Sequence, residues 1–517
     1  MNGEPLRVGV VVESDKVPAW VAWAVAEIAS GDACDLAFVA LRGGAPVPRR
    51  PMGSRWADGL PHRLYERLDA RIFGRPGATR AVHLPPDATG RPEAAVVDVV
   101  VSFVPRDPKT WDGPPPPHGV WAVVPMDDGR PTSAPSRFWD VRRRRDVATT
   151  SLVALAEGNQ RVIAECTTPV DPLSVARTRN LAAWAGARLV VRSLRAARLR
   201  SGGESLPSGP DEMPGPPTAA ETLAHGARTA WRGLRAKGRT LGFRGEWFVA
   251  VRAQSAEGAV GGPPLALPNP HGRYLADPFP IERDGRHYLF VEDYSIAARR
   301  AAISVCELRP SGLVGPLRRV LERPYHLSYP FVFEHTGAVY MIPETGEAGR
   351  IELYRALEFP DRWTLERVLL DGVTAFDATL HAADGLLWLF ACVPCAPDDV
   401  GELHLYWSES LHGEWRPHPE NPVVADPGRA RPAGRLFMRG DELLRPGQDC
   451  ARRYGEAVVL NRVDALSTVE YRETPVSRIE PSWAHGLERT HTYTFDSGYE
   501  CFDGYRRVSR PRLRGRG

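Results

Sequence analysis

A hairpin-like pattern occurs five times in the second half of the chain, at spacings of about fifty residues. Each copy has two runs of apolar and aromatic residues around a glycine turn, and the first copy is LADPFPIERDGRHYLFVED, residues 275–293. An Asp-Gly pair between two such runs is a strong signal for a β-hairpin. The turns of the other copies contain Gly337, Gly385, Gly440 and Gly498. Because one such sheet needs neighbours to bury its faces, the repeat predicts an all-β domain, a β-propeller of five blades.

The ends of these repeated strands carry polar residues, whereas the strands themselves are apolar. In a propeller, the start of each innermost strand and the end of the strand that runs back lie at the same rim of the central funnel. The starts are occupied by Asp277, Tyr329, Asp377, Arg431 and His491. The ends are occupied by Glu292, Glu344, Arg445, Gln448 and Asp449, and His326 precedes the second copy. Because like charges repel when they converge, this set predicts a functional site; the alternative is that some members are solvated turn residues.

Charge and apolar content argue against two broad classes of function. The net charge is only +3, and arginine supplies nearly all of the basic residues, so nothing favours nucleic-acid binding. No apolar run reaches transmembrane length, and the N-terminus lacks the pattern of a signal peptide. Seven scattered cysteines fit a reducing compartment, and Cys392 and Cys395 form an isolated pair that is a weak zinc signal. These features predict a cytoplasmic protein without a transmembrane segment.

Strand and helix patterns alternate in residues 1–200. Apolar runs predict strands at residues 7–12, 34–41, 98–104, 120–124, 151–155 and 161–166. Stripes of helical periodicity predict helices at residues 16–30, 63–73 and 171–200. Alternation of this kind predicts an α/β domain with a largely parallel sheet.

This first domain resembles the N-terminal domain of formyltransferases in a few short motifs. They are RVGVVV at 7–12, DVVVSF at 98–103, HGVW at 118–121 and PSRFW at 135–139. In that family Asn-x-His follows the glycine strand and a later Asp completes the site, but here residues 122–125 read AVVP and residues 156–160 read AEGNQ. The resemblance therefore implies the fold without formyl transfer. Asp127 and Asp128 either serve another ligand or form a solvated turn.

A Pro/Gly/Ser-rich linker is predicted at residues 201–218. Residues 221–237 predict a basic, weakly amphipathic helix that either docks on protein or touches a membrane surface. The run EWFVAVR at 246–252 predicts a strand that pairs with the last blade and closes the ring. These boundaries give the linker and helix residues 201–244, the propeller residues 245–507, and a basic tail residues 508–517.

The propeller region resembles the N-terminal domain of plant glucosamine inositolphosphorylceramide transferases. The motifs that carry the resemblance are HLSYPFVF at 326–333, VYMIPE at 339–344, LYRA at 353–356, Phe359-Pro360 with Trp363, and WLF at 388–390. In those proteins the glycosyltransferase domain proper lies downstream of the propeller. Resemblance to the propeller alone does not imply transfer of glucosamine.

The same region is similar to the five-bladed propellers of glycoside hydrolase family 43. Ala276-Asp277-Pro278 matches the motif of that family's general base, and Phe376-Asp377-Ala378 matches the motif of the Asp that tunes pKa values. The family's general acid belongs near residues 431–434, where this sequence reads RPAG. An acid must then come from Glu344 or Glu292. Some members place a histidine near a central metal ion, which implies a divalent cation near His491.

Two classes of function follow from these resemblances. The first is a carbohydrate-active enzyme of glycosidase or glycosyltransferase type, acting on a glycan or glycolipid precursor with Asp277, Glu344 and Asp377 as catalytic residues. The second is a non-catalytic sugar-binding or assembly module that works beside a partner glycosyltransferase. Arg431 and Arg445 predict an anionic sugar ligand, because guanidinium groups bind carboxylates and phosphates well. The alternative is that both arginines pair with the acids and fill the funnel.

Overall fold

The computed structural model divides the chain into two units, Met1–Ala236 and Lys237–Gly517. The residues that the structure describes are 5–31, 34–41, 55–73, 77–84, 96–104, 111, 113–127, 130–131, 137–156, 159–197, 217–253, 263–309, 315–394, 400–496 and 498–509. Most of the predicted linker and basic tail lies outside these residues, as do Asp128 and Cys395. Among the described helices, none is both long and apolar enough to span a lipid bilayer.

The first unit alternates strands and helices, as its sequence predicts. Its strands are β1 (Leu6–Val12), β2 (Lys16–Pro18), β3 (Cys34–Leu41), β4 (Ala81–His83), β5 (Val99–Ser102), β6 (Val120–Asp127), β7 (Arg130–Pro131), β8 (Val147–Ala156) and β9 (Asn159–Pro169). Its helices are α1 (Ala19–Ser30), α2 (Arg55–Phe73), α3 (Phe138–Arg143) and α4 (Val175–Ala197), and α5 (Ala219–Gly242) runs on into the second unit.

A mixed sheet in this unit has the strand order β3-β1-β5-β6-β8-β9. The first four strands of that order are parallel, whereas β8 and β9 run antiparallel to their neighbours. The prediction of a largely parallel sheet is therefore correct only for those four strands. Residues 157–158 alone connect β8 to β9, which is too short for the crossover that parallel neighbours require. The formyltransferase-like character of this unit stays a prediction.

Apolar side chains explain how the helices cover this sheet. Val8 and Val10 of β1 are fully buried. They share one apolar cluster with Val21 and Val25 of α1 and with Leu189 of α4. Strands that are covered by helices read as continuous apolar runs, which is why RVGVVV and DVVVSF stand out in the sequence.

The second unit is an all-β propeller of five sheets. Blade one has β12 (Arg273–Arg283), β13 (Arg286–Ser295), β14 (Arg300–Leu308) and β15 (Arg318–Leu321). Blade two has β16 (Ser328–His335), β17 (Ala338–Glu344), β18 (Arg350–Glu358) and β19 (Arg362–Asp371). Blade three has β20 (Phe376–Ala383), β21 (Leu386–Val393), β22 (Glu402–Ser408) and β23 (Arg416–Pro417).

Blades four and five depart from this simple order. Blade four has β24 (Arg431–Pro432), β25 (Phe437–Arg439), β26 (Glu442–Asp449), β27 (Ala457–Leu466) and β28 (Tyr471–Ile479). Blade five joins β10 (Phe243–Ala253) and β11 (Leu265–Ala266) to β29 (Leu487–Arg489), β30 (Tyr493–Asp496) and β31 (Tyr499–Ser509). In blade five, β10 pairs antiparallel with β31 from Phe243 opposite Ser509 to Ala253 opposite Tyr499. This pairing confirms the predicted closing strand, and closure removes two exposed sheet edges.

The glycine turns of the repeat are tight hairpin turns in blades one to three. Asp284-Gly285, Thr336-Gly337 and Asp384-Gly385 have positive φ at both residues, between 47° and 80°. Two consecutive residues with positive φ form the turn whose twist matches antiparallel strands. The sequence pattern therefore marks these hairpins for a definite steric reason.

Candidate functional site

Bulges in the first strands of blades one to three place three of the predicted residues. The strand register shifts at Asp277, Tyr329 and Asp377, which adopt the left-handed conformation with φ values of 48°, 46° and 53°. Residues other than glycine rarely adopt this conformation, and it re-aims a side chain away from the regular alternation of a strand. The same distortion therefore occurs at equivalent positions in the first strands of three blades.

Asp277 joins three blades through hydrogen bonds. The Thr492 hydroxyl donates to its Oδ1 over 2.7 Å, and the Tyr329 backbone N–H donates to its Oδ2 over 3.1 Å. Its own N–H donates to Asp503 Oδ2 over 3.2 Å. Burial raises the pKa of Asp277 to about 6, against the lowering effect of His491 and with a further increase from Asp377.

His491 and Asp503 form a buried pair beside Asp277. His491 Nδ1 lies 2.5 Å from Asp503 Oδ2 and 3.7 Å from Asp277 Oδ1. Burial disfavours the charged imidazole, but Asp503 and then Asp277 outweigh it and raise the pKa of His491 above its usual value. These three side chains have ligand atoms within 4.8 Å of one another, a spacing that suits a metal ion. A cation would have to replace the existing contact between His491 and Asp503, and the predicted cation stays a prediction.

Arg431 links two of the predicted acids. Its Nε donates to Asp377 Oδ2 over 2.6 Å, and its Nη2 lies 3.6 Å from Glu344 Oε2. The guanidinium lies 4.8 Å from the ring centre of Phe376 and 5.0 Å from that of Tyr454. Asp377 is thus the direct partner of Arg431, and the arrangement predicted as the alternative, pairing of Arg431 with the acids, is the one observed.

Gln448 completes the surroundings of Asp377. Its Nε2 donates to the same Asp377 Oδ2 over 2.7 Å and to the Pro432 carbonyl over 2.9 Å. Asp377 is almost fully buried, and one of its oxygens accepts hydrogen bonds from two side chains. Both contacts fix the orientation of this carboxylate.

Glu344 lies in an environment that favours its neutral form. Its carboxyl group is mostly buried and accepts one hydrogen bond of 2.9 Å from the Ser328 hydroxyl. Burial raises the pKa of Glu344 to about 8, Asp377 raises it further, and Arg431 opposes the shift. Asp277 and Glu344 thus differ in pKa although both lie on the same rim, which is the usual sign of separate acid and base roles.

Glu292 and His326 form a further contact at the rim. His326 Nε2 lies 3.6 Å from Glu292 Oε1, and His326 Nδ1 accepts a hydrogen bond of 3.2 Å from the Ala301 backbone N–H. Burial raises the pKa of Glu292, with Asp277 and Glu344 adding to the shift, and burial lowers the pKa of His326. Because Nδ1 accepts the Ala301 N–H, a neutral His326 carries its proton on Nε2 and can donate a hydrogen bond there, to Glu292 or to a ligand oxygen.

Three of the predicted residues do not contribute side chains to the cluster formed by Asp277, Glu344, Asp377, Arg431 and His491. Arg445 is fully buried and binds Glu473 through two nitrogens, at 2.6 and 2.7 Å. Asp449 pairs with Arg478 and accepts the N–H of Ala451. Successive side chains of a β-strand point to opposite faces of the sheet. In β26, Arg445 and Asp449 therefore lie on one face, and Gln448, which contacts Asp377, lies on the other. The structure thus pairs Arg445 with Glu473 and not with the acids around Asp377.

Tyr329 is the third of these residues. Its hydroxyl lies 2.8 Å from Thr379 Oγ1, and its ring packs edge-on against Phe279 within the blades. Only its backbone N–H reaches the site, where it binds Asp277. Its role in the described structure is to hold that carboxylate, so its place in the substrate-binding set is not supported by a side-chain contact.

Several members of the site were not predicted from the sequence. Trp247 stacks on His491 with ring centres 3.9 Å apart. Tyr454 contacts the same imidazole edge-on, with ring centres 5.3 Å apart, and Tyr454 itself is 40% exposed. Thr492 and Asp503 bind Asp277 and His491 directly. Asp503 had a readable signal, because it is a carboxylate inside the apolar run YECFDGY. Trp247 had none, because it lies on a strand about 240 residues before its partner.

Comparison with known proteins finds a family model that matches part of this chain. Residues 267–486 match the family described as glucosamine inositolphosphorylceramide transferase 1, N-terminal. The propeller resembles the N-terminal domain of these transferases. A relative from Oryza sativa subsp. japonica is 35% identical over 252 residues, which are 48% of this chain and 33% of the relative. The Arabidopsis thaliana protein of the same name is 36% identical over 208 residues, 39% of this chain and 27% of the relative. The chain spans about a third of the length of the curated relatives it matches.

Solved structures with a similar chain course include two glycoside hydrolases. A family 117 enzyme from Zobellia galactanivorans has a TM-score of 0.35 and 12% identity, covering 51% of this chain and 90% of that one. A GH43_1 enzyme from Xanthomonas citri in complex with xylose has a TM-score of 0.34 and 14% identity, covering 47% and 89%. The assignment of five blades rests on the strand pairing described above.

Proposed function

We propose that the funnel of the propeller binds a carbohydrate and that Glu344 and Asp277 act there as proton donor and proton acceptor. The reaction would be of glycosidase or glycosyltransferase type, on a glycan or glycolipid precursor. The observation that carries this proposal is the cluster itself: two buried carboxyl groups of different pKa beside an Arg431–Asp377 pair, on one rim of an apolar propeller. The match to a family named for glucosamine inositolphosphorylceramide transferase supports a sugar ligand.

The two carboxyl groups suit the two proton transfers of glycosidic chemistry. Glu344, with a pKa of about 8, keeps its proton near neutral pH and can give it to the oxygen of a leaving group. Asp277, with a pKa of about 6, is largely ionised there and can accept a proton from water or from an acceptor hydroxyl. Asp377 then acts through Arg431, which it positions next to Glu344.

The charges of the cluster bear on the ligand. The positive charge of Arg431 is paired with the carboxylate of Asp377, and Arg445 is hydrogen-bonded to Glu473. An anionic group on a sugar would have to compete with Asp377 for Arg431. Arg431 is thus the arginine of the predicted pair that is left to bind an anionic ligand. We therefore expect neutral sugars to bind at least as well as uronic or phosphorylated ones.

The test is turnover by the full chain on a panel of neutral and uronic aryl glycosides and nucleotide sugars. On an active substrate, the rate should peak between about pH 6 and pH 8, where Asp277 is ionised and Glu344 is protonated. Glu344→Gln should lower kcat by about 10²–10⁴-fold and flatten the alkaline limb, while sugar affinity is retained. Asp277→Asn should flatten the acid limb. Glu358→Gln, an exposed change in the same blade as Glu344, is the matched control.

A non-catalytic sugar-binding module is the second candidate. It is favoured by the family description, which names the N-terminal part of a transferase, and by the matched segment, which covers only 33% of the Oryza sativa subsp. japonica relative. In that case the wild-type protein binds sugars but does not turn them over. Glu344→Gln then changes neither the sugar affinity nor the absence of turnover. Turnover that survives Glu344→Gln and Asp277→Asn together would reject the acid and base roles.

A further inference from the structure

Helix α5 exposes an apolar stripe that the propeller chemistry does not use. Leu223, Trp231 and Leu234 are 67%, 62% and 66% exposed. Helical spacing brings Leu223, Ala227 and Leu234 onto one line, with Trp231 beside it. Large side chains of this kind are normally buried, so three of them on one helical face indicate a contact surface.

The opposite side of α5 is anchored within the first unit. His225 is buried there, and its Nε2 lies 3.0 Å from the Tyr65 hydroxyl of α2. The His225 ring also contacts Phe138 at 4.9 Å. Burial lowers the pKa of His225 to about 4, so this anchor is uncharged at neutral pH. The helix therefore has a fixed inner side and an exposed outer stripe.

The neighbouring helix α2 carries a second stripe. Leu64, Leu68 and Ile72 follow each other at steps of four residues and are between 55% and 61% exposed. Tyr65 connects α2 to α5 through His225, so both stripes belong to adjacent helices of one unit. We call the two stripes together the helical face.

Basic residues accompany the helical face. Arg67 and Arg71 on α2 and Arg228 and Arg235 on α5 are exposed. The carboxylates of the same helix segments are engaged elsewhere: Glu66 binds Arg179, Asp69 accepts the N–H of Ala176, and Glu221 accepts the N–H of Thr218 at the start of α5. The four exposed arginines also outnumber these three carboxylates, so the net charge of the helical face is positive.

We propose that the helical face binds the surface of an anionic lipid bilayer. Exposed Trp, Leu and Ile side chains beside arginines are the pattern of helices that lie in a membrane interface, with apolar groups among acyl chains and arginines at headgroups. A symmetric contact with a second copy would bring arginine against arginine, which disfavours self-association through this face. This inference is independent of the sugar chemistry of the propeller.

The test is co-sedimentation of the full chain with vesicles of phosphatidylcholine, with and without phosphatidylglycerol. Binding should require phosphatidylglycerol and should weaken as salt is added, because headgroup attraction is screened. The double change Trp231→Ser with Leu234→Ser should lower the partition coefficient by about tenfold or more, because apolar burial is lost. Arg228→Gln with Arg235→Gln should reduce the preference for phosphatidylglycerol.

Leu357→Ser is the matched control, since Leu357 is a similarly exposed leucine of the propeller. It should leave vesicle binding unchanged. Equal binding by wild type and the Trp231/Leu234 variant, with unchanged circular dichroism, would overturn the proposal, as would absence of binding to anionic vesicles. A dimer in solution that the same double variant dissociates would assign the face to a second copy instead. None of these results depends on whether the funnel binds sugar.

Discussion

At the scale of single residues, the proton of Glu344 is held by the balance of its surroundings. Burial and Asp377 raise the pKa of this carboxyl from 4.5 to about 8, although Arg431 opposes them. The motif PE at the end of an apolar strand made the burial of Glu344 readable from the sequence. The neighbours that set its final value, Ser328 and Arg431, come from other strands, so only the fold brings them together.

This balance predicts how stability changes with pH. Between about 4.5 and about 8 the unfolded chain has lost the Glu344 proton and the folded chain keeps it, so the free energy of unfolding falls as pH rises. Glutamine mimics the neutral form and has no such dependence. Glu344→Gln should therefore gain stability relative to wild type by at most about 1.4 kcal/mol per pH unit across that range. Urea unfolding of both proteins at several pH values measures this difference in the free energy of unfolding, with Glu358→Gln as control. If the free energies of wild type and Glu344→Gln change with pH in parallel between about 4.5 and 8, the buried carboxyl titrates normally.

At the scale of elements, strand ends in this propeller are easier to predict than strand faces. The hairpins of blades one to three follow from local turn chemistry, and Asp284-Gly285 has the backbone that its sequence requires. The face of a residue near a strand end depends on its exact position in the strand and on bulges such as the one between Phe376 and Thr379, which shift the register. Arg445 and Gln448 are both polar and close in sequence, yet only Gln448 reaches Asp377.

The pair of Arg445 and Glu473 gives a prediction for blade four. Both side chains are nearly fully buried between β26 and β28. Removing one partner leaves a buried charge without compensation, so Arg445→Ala should destabilise the propeller by about 3–5 kcal/mol. Ligand affinity of the folded protein should stay close to wild type, whereas Arg431→Ala should change it. Chemical unfolding measures the stability of each variant, and calorimetric titration at the same temperature measures its ligand affinity. If Arg445→Ala keeps its stability but loses affinity, Arg445 belongs to the binding site.

At the scale of the whole molecule, the composition of the sequence predicts a domain boundary, and that boundary stays a prediction. The Pro/Gly-rich stretch at residues 201–218 separates, in sequence, a region of alternating helix and strand patterns from one of strands alone, whereas the chain divides into two units between Ala236 and Lys237. The antiparallel strands β8 and β9 were not distinguishable from parallel ones, because both kinds are short apolar runs.

Limited proteolysis tests the predicted linker. The first cut should fall within residues 201–218 and should leave two folded fragments, because this stretch is rich in Pro, Gly and Ser and carries no helix or strand pattern. Mass spectrometry locates the cut, and circular dichroism of the separated fragments measures their folding. A first cut within a blade, with loss of folding, would place the boundary elsewhere.

The pairing of β10 with β31 has a consequence for synthesis on the ribosome. The strand that begins the propeller, Phe243–Ala253, emerges long before its partner, Tyr499–Ser509. At about 5–20 residues per second, the roughly 250 residues between them take some tens of seconds to translate. During that time β10 presents an unpaired apolar edge to the crowded environment of the nascent chain. The ring can close only after β31 has been synthesised, so holding this edge apart from other chains until then is a task for chaperones rather than for the fold.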